Sequence, residues 1–404
     1  MTISLGTRAA KRKKHVVLIT HSRFWSVGAG LWARTLQTVL HLQKHAHLTV
    51  VFCDDVGAED REKIRAMGVR GVVLGNRTPS EHRRMLCELL ATRFTRDPPD
   101  AFLVDKTENA YFFPVLPRAA LKLVDTHDLI SARTQRARSF NAPEWHPLTE
   151  EQEAELLDRF DRVICIQDEE RKQVARWLGE KKTLLAPHPV RATPIAIGKD
   201  VTRIGLIASN WHANADGLRN FIDNVWPRVR RPRLALHVYG GIAASFSDNH
   251  ERDIHFHGVV REIEECYENL DIAINPVRFG AGLKIKTIES LAHGVPLVTT
   301  PHGASGLESL SNRALYMADT AEDFSSALCR LIDNESIRKD FNRVGSAHVR
   351  EHLNPERCFH GVVDAINAHR RRGDTGFALR FPALSLLSNG FRAAASVWRS
   401  HRAP

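Results

Sequence analysis

Short apolar runs recur along the chain, and between them lie longer stretches in which apolar residues return at every third or fourth position. The runs are too continuous for strands with one wet face, so they read as strands buried on both sides; the longer stretches read as amphipathic helices. In the first half this predicts strands at His15–Thr20, Leu48–Cys53, Ala101–Val104, Leu121–Val124 and Arg162–Ile166. Helices are predicted at Leu31–Lys44, Ala58–Met67, Ser80–Phe94, Glu150–Phe160 and Glu169–Leu178. Pro187, Pro189 and Pro194 then punctuate Ala186–Lys199, a stretch that reads as a linker. The alternation restarts with strands at Arg203–Ala208, Leu234–Tyr239, Ile254–His257, Asp271–Ile274, Pro296–Thr299 and Ala314–Met317. Helices accompany them at Ala213–Val225, Glu262–Leu270, Ala321–Ile332, Glu335–Glu351 and Pro355–Arg370. Strands alternating with helices build an α/β fold with parallel sheets covered on both faces, and ligands sit outside the carboxyl ends of the strands. The predicted organisation is a basic arm over 1–14, a first domain over 15–188, a linker over 189–200, a second domain over 201–352, and a tail over 371–404.

Composition fits this picture: 404 residues suffice for two cores, and 43% apolar with 26% charged residues is ordinary for a globular chain. Met1–Lys14 lacks the apolar centre of a signal peptide, and no apolar run reaches a membrane span, so a cytoplasmic location is expected. The six cysteines are scattered and read as buried thiols. The 21 histidines show no HExxH or Cys/His spacing, so no metal site is expected. A net charge of +10 admits anionic nucleotides, anionic membrane surfaces or nucleic acid as partners. The basic clusters Lys11–Lys14 and Arg370–Arg372 lack interleaved aromatics, so nucleic acid is not expected. The tail mixes Phe377, Leu379, Phe381 and Leu384 with Arg380, Arg392 and Arg399. A peripheral segment on an anionic membrane, a disordered end and a helix packed on the core all remain open readings.

The most informative stretch runs from Asn275 to Glu289 and on to Gly303. A strand ends at Asn275-Pro276, a turn containing Gly280 and Gly282 follows, and a helix opens with Lys284 and Lys286. A glycine turn entering a helix N-terminus is suited to a diphosphate, and the two lysines add charge. Glu289, about one turn on, is placed to accept hydrogen bonds from sugar or ribose hydroxyls. The plainer reading is a tight turn followed by a surface Lys286–Glu289 pair.

The stretch FGAGLKIKTIESLAHGVPLVTTPHGASGL resembles the second half of the retaining glycosyltransferases of group 1, family 4. The resemblance implies the GT-B architecture: two facing Rossmann-like domains with an interdomain cleft, and a final helix (here 353–370) that crosses back onto the first domain. It also implies a hexosyl- or related transferase that uses a nucleotide-sugar donor, needs no metal or other cofactor, and glycosylates a glycan or lipid-linked acceptor, as in surface polysaccharide or glycolipid synthesis. Many members carry two glutamates separated by seven residues. Glu289 matches the second, which meets the nucleotide ribose, while the first falls on Ala281, so the residue that faces the donor sugar is not identified.

By the same resemblance His127, at the end of a first-domain strand, faces the donor sugar, with Asp125 and Asp128 either orienting it or capping the next helix. Gly28 and Gly30 form a glycine loop near the donor phosphate, or a simple turn; they do not complete GxGxxG, because Arg34 stands where the third glycine would be. Asn210 and Asn214 open the helix after the first strand of the second domain, where many relatives carry an arginine and a lysine; Lys284 and Lys286 are expected to supply that charge. Gly303, Ala304 and Ser305 form a turn whose amides can approach the donor, or only a glycine turn. An epimerase of the same shape and a non-catalytic nucleic-acid-binding or scaffold protein are the alternatives.

Overall fold

A computed structural model describes residues 12–26, 30–144, 146–246, 252–280 and 282–370. Gly28, Ala281, most of the basic arm and the tail from Arg371 lie outside the described residues. The apolar runs do form parallel sheets. In the first half the strands are β1 (His15–Thr20), β2 (His47–Phe52), β3 (Arg70–Val73), β4 (Ala101–Asp105), β5 (Leu121–Asp125), β6 (Arg162–Cys165) and β7 (Thr183–Leu185). They join in the order β3-β2-β1-β4-β5-β6-β7, every pair parallel. In β1, β4 and β5 every residue is buried, and alternate side chains enter different cores. Val16 and Leu18 pack with Val39 and Leu42 on one face, whereas Val17 and Ile19 pack with Leu86 and Leu90 on the other.

The second lobe repeats the plan with β8 (Arg203–Ile207), β9 (Ala235–Tyr239), β10 (Ile254–Gly258), β11 (Ile272–Asn275), β12 (Leu297–Thr299) and β13 (Leu315–Met317). Their order is β10-β9-β8-β11-β12-β13, again all parallel. In each sheet the strand order reverses beside the first strand, which opens a crevice at the carboxyl ends. The segment 186–202 has no regular structure and runs along the second lobe, with Thr193 N bonded to Ala292 O and Ile195 N to His293 O. Helix Pro355–Ala368, capped by Asn354 and opened by proline, returns to the first lobe and buries Phe359, Val362 and Ile366 beside Val39 and Leu42.

The sequence pattern does not announce β3, β7 or helix Ile130–Ser139. β3 and β7 are short edge strands, half of β3 being exposed, so neither carries the continuous apolar run of a central strand. Helix Ile130–Ser139 is polar over most of its length and has no side-chain cap of its own. Its first amides are instead held by buried Glu153, whose carboxylate accepts from Ile130 N and Ser131 N, each at 2.8 Å.

Candidate functional site

The glycine-rich turn leaves β11 and meets the first lobe. Gly280 has φ 125° and Gly282 φ 71°, backbone conformations that side-chain-bearing residues rarely adopt. Space is equally restrictive: a Cβ on Gly280 would lie 2.8 Å from the Trp211 ring, and one on Gly282 would lie 2.9 Å from the carbonyl oxygen of His127. Folding thus brings the loop and His127 together across the two lobes. Arg136 fastens the contact by donating to Gly280 O at 2.8 Å, and Phe140 stacks on Phe279 with ring centres 4.7 Å apart.

Helix Ile285–Ala292 starts at this junction, with Ile288 and Ala292 wholly buried and Ile285 half-buried. Lys284 at its N-cap is 8% exposed and donates to Gly282 O at 2.8 Å. Burial lowers its pKa to about 7; Arg136 and Lys286 add to the fall, while Glu170 and Asp128 oppose it. Three of those four neighbours belong to the first lobe, so the ammonium faces the interlobe junction. Lys286 donates to Asn214 Oδ1 at 2.5 Å and is lowered to about 8, again by burial. Asn214 in turn donates to Ser209 O at 3.0 Å, so the start of helix His212–Asn224 holds Lys286 in place. Glu289 accepts from the Tyr267 hydroxyl at 3.2 Å, and burial raises it to about 7 against the pull of Tyr267 and Lys286. Lys286 is therefore engaged with Asn214, which sets aside the plain Lys286–Glu289 surface pair.

His127 has φ 60° and follows β5. Its Nε2 lies 2.6 Å from Asp105 Oδ1 at the end of neighbouring β4, and a carboxylate only accepts, so Nε2 carries the proton. Burial alone would raise Asp105, but the His127 imidazole and the Thr20 hydroxyl outweigh it and hold this carboxyl below its ordinary value. Of the two roles open to Asp125 and Asp128, orienting the imidazole falls instead to Asp105. Asp125 forms a buried pair with Arg34, whose Nε lies 3.0 and 3.1 Å from the two oxygens, and touches His127 only through a long 3.4 Å bond from its amide. Asp128 pairs with Arg133 at 2.8 Å. Arg34, read in the sequence as a missing glycine, is a buried anchor.

Other expected residues sit differently. Gly30 is the first residue of helix Gly30–His45. Asn210 is exposed and accepts from the Ser245 hydroxyl at 2.6 Å. Gly303 fits tightly against Thr299 and Asn275, where a Cβ would lie 2.0 Å from Thr299 Oγ1. Its amide donates to Thr300 Oγ1 at 2.9 Å, Ala304 N to Thr300 O at 3.0 Å, and Ser305 N to His302 O at 3.3 Å. The three amides are thus engaged within their own turn rather than presented outward.

Two residues missed in the sequence complete the junction: Arg136 and Glu170. Glu170, in the first turn of helix Asp168–Leu178, is 5% exposed. Its Oε1 accepts from Gly282 N at 3.0 Å, while its buried Oε2 has no hydrogen-bond partner. Burial and Asp128 raise it to about 7, opposed by the Gly282 amide, Lys284 and Gln167. An acidic residue at a helix start reads as an ordinary solvated end, so only the lobe contact reveals it.

Residues 202–334 match the model of the family described as Glycosyl transferases group 1. No curated protein sequence matches the chain. Among solved structures, sucrose-phosphate synthase from Thermosynechococcus elongatus superposes with a TM-score of 0.68 at 13% identity, over 88% of this chain and 98% of that one. A TarM variant of S. aureus in complex with fondaparinux, alpha-GlcNAc-glycerol and UDP gives 0.69 at 11% identity, over 88% and 100%. HepE of Anabaena in complex with UDP and glucose gives 0.67 at 12%, over 88% and 100%. These likenesses establish the two-lobed GT-B fold.

Proposed function

We propose that the chain is a glycosyltransferase that moves a sugar from a nucleoside-diphosphate donor to an acceptor hydroxyl, with retention at the anomeric carbon. The observation that carries this reading is Lys284: a buried ammonium at a helix start, directed at the junction of two Rossmann-like lobes and flanked by Lys286 and Arg136. A buried ammonium held at a helix start beside two further cations is suited to the charge that develops on a departing diphosphate. In this reading Glu289, held by Tyr267, meets the ribose, and His127, held by Asp105, meets the sugar near the reacting carbon. UDP is the first diphosphate to test, because the TarM and HepE structures contain it. The acceptor is proposed to be a glycan or lipid-linked hydroxyl of surface polysaccharide or glycolipid synthesis. Among the described residues no helix is long and apolar enough to cross a membrane.

The test is a thermal-shift screen of nucleoside diphosphates and their sugars, followed by product analysis with the donor selected. One base should raise the melting temperature, and Lys286→Ala should lower turnover at least about tenfold while remaining folded. Absence of any diphosphate-induced shift, together with absence of donor hydrolysis or transfer, would overturn the reading.

A further inference from the structure

Sequence spacing shows no Cys/His grouping, yet folding brings His21, Cys53 and His82 together, with their ligand atoms all within 4.8 Å of one another. His21 follows β1, Cys53 follows β2, and His82 lies on helix Pro79–Thr92, so the cluster stands at the carboxyl edge of the first sheet. The protons on the two imidazoles can be assigned. His82 Nε2 lies 2.8 Å from Gly75 O, and His21 Nδ1 lies 3.1 Å from Asp54 Oδ1. A carbonyl and a carboxylate only accept, so both of these nitrogens are N–H donors directed outward. In the neutral rings, His82 Nδ1 and His21 Nε2 then turn lone pairs inward, onto the Tyr111 hydroxyl at 2.9 and 3.1 Å.

Tyr111 has one hydroxyl proton and can satisfy one of those lone pairs. Cys53, fully buried beside it, adds one weak donor. The second lone pair therefore has at most that weak thiol donor, and two imidazole nitrogens beside a sulfur are a ligand set that a thiophilic cation takes. The ring centres of His21 and His82 stand 5.6 Å apart at 62°, close to the about 5 Å of two imidazoles on one tetrahedral ion. Both outer nitrogens already make the carboxylate and carbonyl bonds that orient metal-bound histidines.

We propose that His21 Nε2, His82 Nδ1 and Cys53 Sγ bind a thiophilic divalent cation of the Zn(II) class, with Tyr111 Oη or water as the fourth ligand. Binding displaces the thiol proton to solvent and draws the ligands inward by about an ångström to reach bond lengths of about 2.0 Å to nitrogen and 2.3 Å to sulfur. The ion would pin the loop after β1. Thr20, beside His21, bonds Asp105 and through it the imidazole of His127. None of the three ligands is among the residues assigned above to the donor.

Metal-free full-length protein is titrated with Co(II) and then Zn(II) against a chromogenic chelator. The expected result is one ion per chain, with a thiolate-to-cobalt charge-transfer band in the near ultraviolet that Cys53→Ser abolishes. His21→Ala, at a half-exposed position, should weaken Zn(II) binding at least about tenfold in a chain of unchanged melting temperature. A control is needed because His237 and His257 stack on the surface with Nδ1 and Nε2 2.9 Å apart; the double change His237→Ala/His257→Ala should leave the charge-transfer band intact. A missing charge-transfer band, binding unaffected by Cys53→Ser, or binding lost only in that double variant would overturn the proposal. Because the readout is metal binding, its failure leaves the glycosyltransferase reading untouched.

Discussion

Replacing Lys284 by methionine separates what the site costs in stability from what it does. Desolvation lowers this lysine from an ordinary value near 10.5 to about 7. At pH 7 about half of the folded molecules carry the charge, whereas nearly every unfolded chain does. The unfolded state binds more protons, so stability rises with pH between about 7 and 10.5 and is flat below that window. Integrated at pH 7, holding a lysine there costs about 4 kcal/mol. Methionine fills similar space without that cost, but it forfeits the 2.8 Å bond to Gly282 O, worth about 1 kcal/mol. It also deprives Glu170 of a nearby cation, and Glu170, already raised to about 7, takes up a proton more readily as a result. The net expectation is a ligand-free protein more stable by about 2 kcal/mol at pH 7, a rise of roughly 2 °C in melting temperature. The gain should shrink by about 2 kcal/mol at pH 9, where fewer unfolded chains carry the charge. Affinity for the diphosphate should meanwhile fall at least about a hundredfold, since a buried ammonium–phosphate bond is lost. Thermal unfolding at the two pH values, with and without UDP, reads all of these effects. A variant that melts below wild type at pH 7, or keeps the wild-type shift with UDP, would refute the reasoning.

Glu170→Gln preserves the acceptor for Gly282 N but removes the charge and supplies a donor where Oε2 now has no partner. Turnover should fall at least about tenfold while the melting temperature above pH 7 rises, because the raised carboxyl destabilises the fold once ionised; unchanged steady-state kinetics would rule out a role at the donor. Gly282→Ala sets a Cβ 2.9 Å from the His127 carbonyl at φ 71°, with a backbone cost of about 1–2 kcal/mol. The lobes should be held apart, with activity lost and both sheets intact by circular dichroism; activity within twofold of wild type would show that the contact does not matter.

Much of the fold was legible because buried parallel strands are continuous apolar runs, and β1, β4 and β5 are of this kind. What escaped shows where such patterns stop. β3 and β7 lie at sheet edges, where half-exposed residues dilute the apolar signal. At the site, the glycine turn and its two lysines were visible because backbone freedom and charge fall within one short stretch. The groups that complete it come from elsewhere: Glu170 and Arg136 lie more than a hundred positions away on the other lobe. The partner of His127 is hidden from the sequence for the same reason. Asp125 is closer along the chain, but strand pairing sets β4 beside β5 with Asp105 opposite Asp125, and the buried guanidinium of Arg34 takes Asp125 instead.

That exchange of partners explains how one strand end can serve two purposes. Arg34 and Asp125 are each almost fully buried, and removing either would strand an unpaired charge at a cost of about 3–5 kcal/mol. The pair therefore holds the end of β5 and, with it, the backbone from which His127 departs at φ 60°. Asp105 then meets the imidazole through Oδ1, while Thr20 and Thr35 bond its other oxygen. Backbone placement and ring orientation are set by different carboxylates. A single residue doing both would tie the rotation of the ring to the stability of the strand, whereas here Asp105 can respond to the charge on His127 without loosening the ion pair beneath it.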